Sequence, residues 1–320
     1  MAETTRNIDP GMLAFYKALT EQTPAGSEHW PLDQQRAAWN ALCKSFQSPR
    51  PPGVVVEDLN CNGVAVRLYK PKGKSKLTAV IYGHGGGWVL GSPDTHDDMC
   101  AELADGAGCA VLLMDYRLAP ENPYPAQLED SLKVWRWIRQ YGPSHGLDPD
   151  SIIAAGDSAG GQMSAALALA LHELSLPQLQ GLVLIYPVLG SDLNTASYID
   201  NADAPCLTKG EMIFYLTAFM GPEGSKNWHD AKAAPNLAAD VSFLPPTFIT
   251  VADHDPLRDD GVIFHRKLQS AGVPSSIRHE PFLAHSYMRA RHHSQAAKEG
   301  FDAIVKALRN LATGGESLPG

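Results

Sequence analysis

The stretch Ser151-Ile152-Ile153-Ala154-Ala155-Gly156-Asp157-Ser158-Ala159-Gly160-Gly161 decides the fold. Its opening residues are apolar with no polar alternation, the pattern of a strand buried on both faces. The residues that follow, to Leu174, are rich in Ala and Leu and read as a helix. Between strand and helix lies Gly156-Asp157-Ser158-Ala159-Gly160, which fits Gly-x-Ser-x-Gly, a tight strand-to-helix turn. Such a turn forces its serine into strained backbone geometry, and the flanking glycines remove Cβ clashes. The helix N-terminus adds positive potential beneath the serine oxygen. Ser158 is therefore the candidate nucleophile.

Outward from this turn, short runs rich in Val, Ile and Leu predict strands at 78–83, 109–115, 181–187, 246–252 and 275–282, beside the one at 151–156. Helical stretches alternate with them near 95–107, 125–141, 159–174 and 257–271, with a last one near 294–312. Upstream, Val54-Val55-Val56 and Val64, Val66, Leu68 flank Asn62-Gly63, a strong hairpin signal. The expected fold class is α/β: an eight-stranded, mostly parallel sheet flanked by helices.

The first fifty residues read as two short helices. Asp9-Pro10 caps one and Pro31 opens the other, and Ser48-Pro49-Arg50-Pro51-Pro52-Gly53 closes the segment. Residues 190–240 are too long for a plain connector and include an apolar helical stretch, Thr208 to Met220. The expected organisation is 1–50 as N-terminal helices contributing to a cap, 51–189 with 241–320 as the catalytic domain, and 190–240 as a cap insertion. Trp88, Phe214, Tyr215 and Phe219 are candidate pocket walls or simple core.

Composition narrows the function classes. Of 320 residues, 44% are hydrophobic and 19% charged, which excludes a disordered or collagen-like chain. The net charge of −9, with no basic stripe, argues against nucleic-acid binding. Five cysteines, an odd number without CxxC spacing, argue against a disulfide framework or a zinc site. Residues 1–10 lack the apolar core of a signal peptide, and the longest apolar run, Ala165 to Leu171, is too short to span a membrane. These readings give an expectation of a soluble, cytoplasmic protein without metal.

His84-Gly85-Gly86-Gly87-Trp88 follows the strand ending at 83, and its glycines let backbone N–H groups converge on one point, as an oxyanion site requires. A phosphate loop is the weaker alternative, because neither G-x-G-x-x-G nor a Lys-Ser/Thr ending is present. An acid and a histidine should follow the serine in that order. The strand at 246–252 leads to Asp253, Asp255, Asp259 and Asp260. Asp255 is preferred for its place in the loop before the helix, whereas Asp259 and Asp260 fall in the first helical turn. His285 lies at the carboxyl end of the strand 275–282, where α/β sites form. The expected catalytic set is Ser158, Asp255 and His285, with Ser158 made nucleophilic by His285 and His285 oriented by Asp255. His84 reads as structural.

These motifs, with Asp115-Tyr116-Arg117-Leu118-Ala119-Pro120-Glu121 and Asp255-Pro256-Leu257-Arg258-Asp259, resemble the bacterial hormone-sensitive-lipase-like (family IV) carboxylesterases of the α/β-hydrolase fold. The resemblance spans about residues 78–290, and the N-terminal helices fit the family's cap. It implies hydrolysis of short-chain carboxylic esters through an acyl-enzyme, without cofactor. It also implies that Gly85, Gly86 and Ala159 donate to the oxyanion, with Gly87 able to replace one glycine. Arg117 and Glu121 are expected in an ion-pair network beneath the glycine loop. Ser286-Tyr287 departs from the family's Gly-Phe after the histidine. Lactone or amide hydrolysis by the same triad, and non-catalytic binding of a small molecule, are the alternatives. The expected partner is a small-molecule ester, with no nucleic acid or membrane, and a homodimer through the edge strand 275–282 fits the need to cover an exposed edge.

Overall fold

The structure, a computed structural model, describes residues 7–24, 26–314 and 318. Strands β1 (Val54–Cys61) and β2 (Val64–Pro71) form the expected hairpin. Asn62 and Gly63 stand at φ 56° and 90°, the left-handed pair that a two-residue turn of this hand demands. Strands β3 (Leu77–Gly83), β4 (Ala110–Asp115), β5 (Leu147–Asp157), β6 (Gly181–Ile185), β7 (Thr247–His254) and β8 (Ser275–Ala284) complete one sheet. Its order is β1-β2-β4-β3-β5-β6-β7-β8. β2 pairs antiparallel with β1 and β4, and every other pairing is parallel. The expected eight-stranded, mostly parallel sheet is present.

The central strands are buried on both faces because helices cover both. Helices α3 (Asp97–Ala107) and α9 (Gln295–Ala312) lie on one face; α4 (Ala126–Tyr141), α5 (Ala159–Glu173) and α8 (Arg258–Ser270) lie on the other. The period of two along each strand divides the core accordingly. Ile81, Leu112, Ala154 and Leu184 join the layer beneath α4 and α5, and Val80, Val111, Ile153 and Val183 join the layer beneath α3 and α9. Burying each of the larger aliphatic side chains contributes roughly 1.5–3 kcal/mol.

Helices α1 (Pro10–Gln22) and α2 (Leu32–Ser45) precede the sheet. The Asp9 carboxylate accepts from the N–H groups of Gly11 and Met12 at 2.9 and 3.2 Å, so it is the N-cap its position suggested. Between β6 and β7 run α6 (Ala196–Asp200), which the sequence did not signal, and α7 (Lys209–Met220). A reciprocal capping box of Thr208 and Glu211 starts α7. β5 begins four residues before its apolar run, at Leu147, because Leu147 pairs with Leu77 of β3.

The join between β5 and α5 is the tightest backbone approach near the site. A Cβ on Gly160 would lie 1.8 Å from the Gly83 carbonyl oxygen, and one on Gly156 would lie 2.5 Å from the same oxygen. Only residues without a Cβ let α5 dock this closely on β3. Gly160→Ala is therefore expected to destabilise the protein by about 3 kcal/mol or more, through overpacking against backbone that has nowhere to move. Urea unfolding of the variant beside the wild type measures this, and a loss below about 1 kcal/mol would show that the approach is not obligatory.

Candidate active site

Ser158 sits between β5 and α5 at φ 55°, ψ −116°, outside the regions a serine ordinarily adopts. Its neighbours hold it there. Its N–H donates to Ile185 O at the end of β6 (2.9 Å), and its carbonyl accepts from Gly161 and Val188 (3.0 and 3.3 Å). Strain of this kind costs roughly 1–3 kcal/mol and persists only where surrounding bonds over-determine it.

The ends of β7 and β8 bring the other expected residues to the serine. His285 Nε2 lies 3.0 Å from Ser158 Oγ, and His285 Nδ1 lies 2.7 Å from Asp255 Oδ2. All three side chains are buried. The second carboxylate oxygen of Asp255 accepts from the Leu257 N–H at 2.8 Å, which fixes its plane. Asn201, just beyond α6, donates to the carbonyls of Asp253 and Asp255 (3.1 and 3.2 Å). The competing aspartates have other work. Asp259 accepts from the Ser197 N–H at 2.8 Å, and Asp260 accepts from the Leu189 and Gly190 N–H groups, both at 2.8 Å. Burial pushes the Asp260 carboxyl up to about 7.

Ser286-Tyr287 fits its place. Ser286 adopts φ 62°, ψ 21°, the left-handed region in which glycine costs least. Tyr287 is fully buried, donates to Thr250 Oγ1 at 3.0 Å and packs edge-on against Tyr186. Tyr186 in turn packs edge-on against His285, with ring centroids 4.9 Å apart. The departure thus braces the imidazole from behind.

The glycine loop corrects one expectation. The Gly85 N–H donates to Asp157 Oδ1 at 3.0 Å, so its single proton is already engaged. Asp157 is buried and also accepts from Tyr82 OH at 3.0 Å. Burial pushes the Asp157 carboxyl up, but His96, Arg289 and the Tyr82 hydroxyl outweigh it and hold the group below the usual carboxylate range. Gly86 and Gly87 turn at φ 123° and 59°. Among the described residues, the N–H groups of Gly86, Gly87 and Ala159 have no acceptor. Of the three glycine N–H groups, those of Gly86 and Gly87 are therefore free and that of Gly85 is not.

Around this centre lies a cleft of about 820 Å³, open solvent included, walled by α1, α2, α7 and the loops beside them. Of the four aromatic candidates only Tyr215 lines it. Its ring packs so closely on Gly87 that a Cβ there would fall 2.3 Å from it. Trp88 and Phe219 are core instead, stacked at 4.0 Å with their rings nearly parallel, and Phe214 packs against the core from its edge.

The Arg117–Glu121 network divides into two. Arg117 pairs with Asp130 and Glu129 on α4 (2.9 and 2.8 Å). Glu121 pairs with Arg36 on α2 at 2.7 Å. Arg36 also donates to Val89 O at 2.9 Å, tying α2 to the loop just past the three glycines. No sequence pattern marks Arg36, because a lone arginine on a polar helix face reads as solvated.

Residues 80–289 match the family model described as alpha/beta hydrolase fold, and the chain belongs to that family. It is 40% identical over 251 residues to carboxylesterase NlhH of Mycobacterium tuberculosis, covering 77% of this chain and 79% of that one. It is 33% identical over 250 residues to ethyl acetate hydrolase of Pseudomonas putida, covering 76% and 77%. The crystal structure of a thermostable esterase from Pseudomonas putida ECU1011 superposes with a TM-score of 0.89 at 28% identity, covering 96% of this chain and 98% of that one.

His84 is structural, as its position suggested. Its ring stacks on Tyr116 with centroids 4.2 Å apart and donates to Gly85 O at 2.9 Å, and its backbone carbonyl accepts from Tyr116 OH at 2.8 Å. Complete burial, and then the neighbouring His96, depress its imidazole from 6.5 to about 3. The unfolded chain therefore binds the extra proton first, and stability falls as pH drops below 6.5. His84 alone is expected to cost about 2 kcal/mol between pH 7 and pH 5. Urea midpoints at the two pH values for wild type and His84→Asn test this: the variant should lose less, and equal losses would contradict it.

Proposed function

We infer that the protein is a serine carboxylesterase that cleaves short-chain carboxylic esters through an acyl-enzyme. One observation carries the reading: the His285 imidazole bridges the Ser158 hydroxyl and the Asp255 carboxylate. The family membership and the relatives named carboxylesterase, esterase and ethyl acetate hydrolase support ester hydrolysis.

Ser158 Oγ attacks the ester carbonyl carbon while His285 Nε2 takes its proton. Asp255 keeps the imidazole in the Nδ1–H tautomer and stabilises the imidazolium that forms. The carbonyl oxygen becomes an oxyanion and accepts from the N–H groups of Gly86, Gly87 and Ala159. The tetrahedral intermediate collapses as His285 returns the proton to the departing alcohol. Water then enters, His285 takes a proton from it as its oxygen attacks the acyl carbon, and collapse of the second tetrahedral intermediate releases the acid while His285 returns the proton to the departing Ser158 Oγ. No step draws on a cofactor.

Helices α1 and α2 together with residues 190–240 act as the cap over this site, and residues 51–189 with 241–320 as the catalytic domain. The cleft walls drawn from α1, α2 and α7 support that division. A cap that walls the cleft over the serine favours short acyl chains over long ones. β8 is an edge strand and supports a homodimer formed by pairing two such edges. No helix among the described residues is long and apolar enough to cross a membrane. Four buried thiols and one half-buried thiol, all unpaired, fit a reducing compartment such as the cytoplasm.

Hydrolysis of p-nitrophenyl esters from acetate to palmitate should peak at short chains. Ser158→Ala should abolish nearly all turnover in a folded protein, and Asp255→Asn should lower kcat by about 10⁴-fold through the wrong imidazole tautomer. Undiminished turnover in Ser158→Ala would remove the serine mechanism. Light scattering should give twice the chain mass, and a monomer would remove the edge-strand dimer.

A further inference from the structure

Two carboxylates face the cleft without a cation to match them. Glu28 precedes α2 and Glu211 lies in the first turn of α7, and both line the space in front of Ser158. Among the described residues, no lysine or arginine lines that space. Among the described residues, the basic group beside Glu28 is the exposed His29 at 3.7 Å, and Glu211 has no basic partner within ion-pair distance. Two buried acids elsewhere around the site have cations, Asp98 from Arg291 at 2.5 Å and Asp157 from Arg289 with His96 between them, whereas Asp260 accepts from backbone N–H groups.

The ester chemistry does not explain these two charges. Ser158, His285 and Asp255 satisfy one another, and neither glutamate touches them through a hydrogen bond. Helix capping explains only part of Glu211. Its Oε2 accepts from Thr208 N–H and Oγ1–H, both at 2.8 Å, which the carbonyl of a glutamine would do as well. Burial pushes the Glu211 carboxyl up, the hydrogen bonds from Thr208 pull against it, and the charge of Glu28 adds to the rise, which a cation in the cleft would oppose. The rings of Trp39 and Tyr215 line the same space, and the Trp39 ring already holds one cation, the Arg289 guanidinium, at 5.0 Å.

Resting on the esterase reading, we propose that the cleft selects esters bearing a cationic, ammonium-type group, received between Glu28 and Glu211 in front of Ser158, over neutral esters of the same shape. Esters bearing a carboxylate are disfavoured by the same charges. Both the acyl and the alcohol portion of a substrate can carry the cation, and the experiment separates them.

Ser158→Ala protein binds esters without turnover, so its affinities read the cleft alone. One pair is the p-nitrophenyl esters of 4-(trimethylammonio)butanoate and 5,5-dimethylhexanoate, which place the charge on the acyl side. The other pair is the butyrate esters of choline and 3,3-dimethylbutanol, which place it on the alcohol side. In one of the pairs, calorimetric titration should show the cationic member bound about tenfold tighter, as unscreened charge complementarity at a partly desolvated site allows. That ratio should fall to about twofold or less when Glu28→Gln and Glu211→Gln are added. Glu28→Gln alone, at a side chain still 32% exposed, should lower it part of the way in a protein whose fold is not at risk. Ratios within twofold in both pairs, or a preference unchanged by both glutamine substitutions, would overturn the proposal. The esterase reading fails separately, if the wild type does not hydrolyse the neutral members.

Discussion

The site depends on one steric constraint, the approach of α5 to the carboxyl end of β3. Gly83, Gly156 and Gly160 bring the helix and the two strands to a distance that no Cβ permits. The chain between must then turn at a single residue, and that residue is Ser158 at positive φ. The serine oxygen thereby stands at the N-terminus of α5, where the Ala159 N–H has no acceptor. The strain is a consequence of the packing, and the bonds from Ile185, Gly161 and Val188 distribute it.

A second dependence runs beneath the first. Asp157, one residue before the nucleophile, fastens the glycine loop by accepting from the Gly85 N–H, while Tyr82 and the His96–Arg289 pair hold its charge. Arg289 reaches this network from the turn just after His285, and its guanidinium also stacks over Trp39 of α2. Nucleophile, glycine loop, histidine loop and N-terminal helix therefore meet at one buried carboxylate. Asp157 thus anchors the start of the loop in which Gly86 and Gly87 turn.

The fold was legible because its signals are local. Buried parallel strands are continuous apolar runs, Asn62-Gly63 admits one turn, and Asp9-Pro10 caps one helix. The meeting of Ser158, Asp255 and His285 was legible because each sits at a strand end in a fixed order. Which glycine N–H groups are free was not legible: three consecutive glycines look alike in sequence, and the bond from Gly85 to Asp157 distinguishes them. Arg36 and Glu121, the Trp88–Phe219 stack, and the sharing of one cleft by Glu28 and Glu211 join segments far apart in the chain. Periodicity carries no information about such meetings. Helix α6, five residues long, is too short for a helical period to show.

The account's central claim is that Ser158 alone forms the covalent bond to substrate. The most direct test is mass spectrometry of the intact protein after treatment with a p-nitrophenyl alkylphosphonate, whose phosphorus accepts the serine oxygen as p-nitrophenolate departs. One phosphonyl group per chain, mapped to the peptide containing Ser158 and formed in step with loss of esterase activity, is the predicted result. Complete inhibition with Ser158 unlabelled would contradict it.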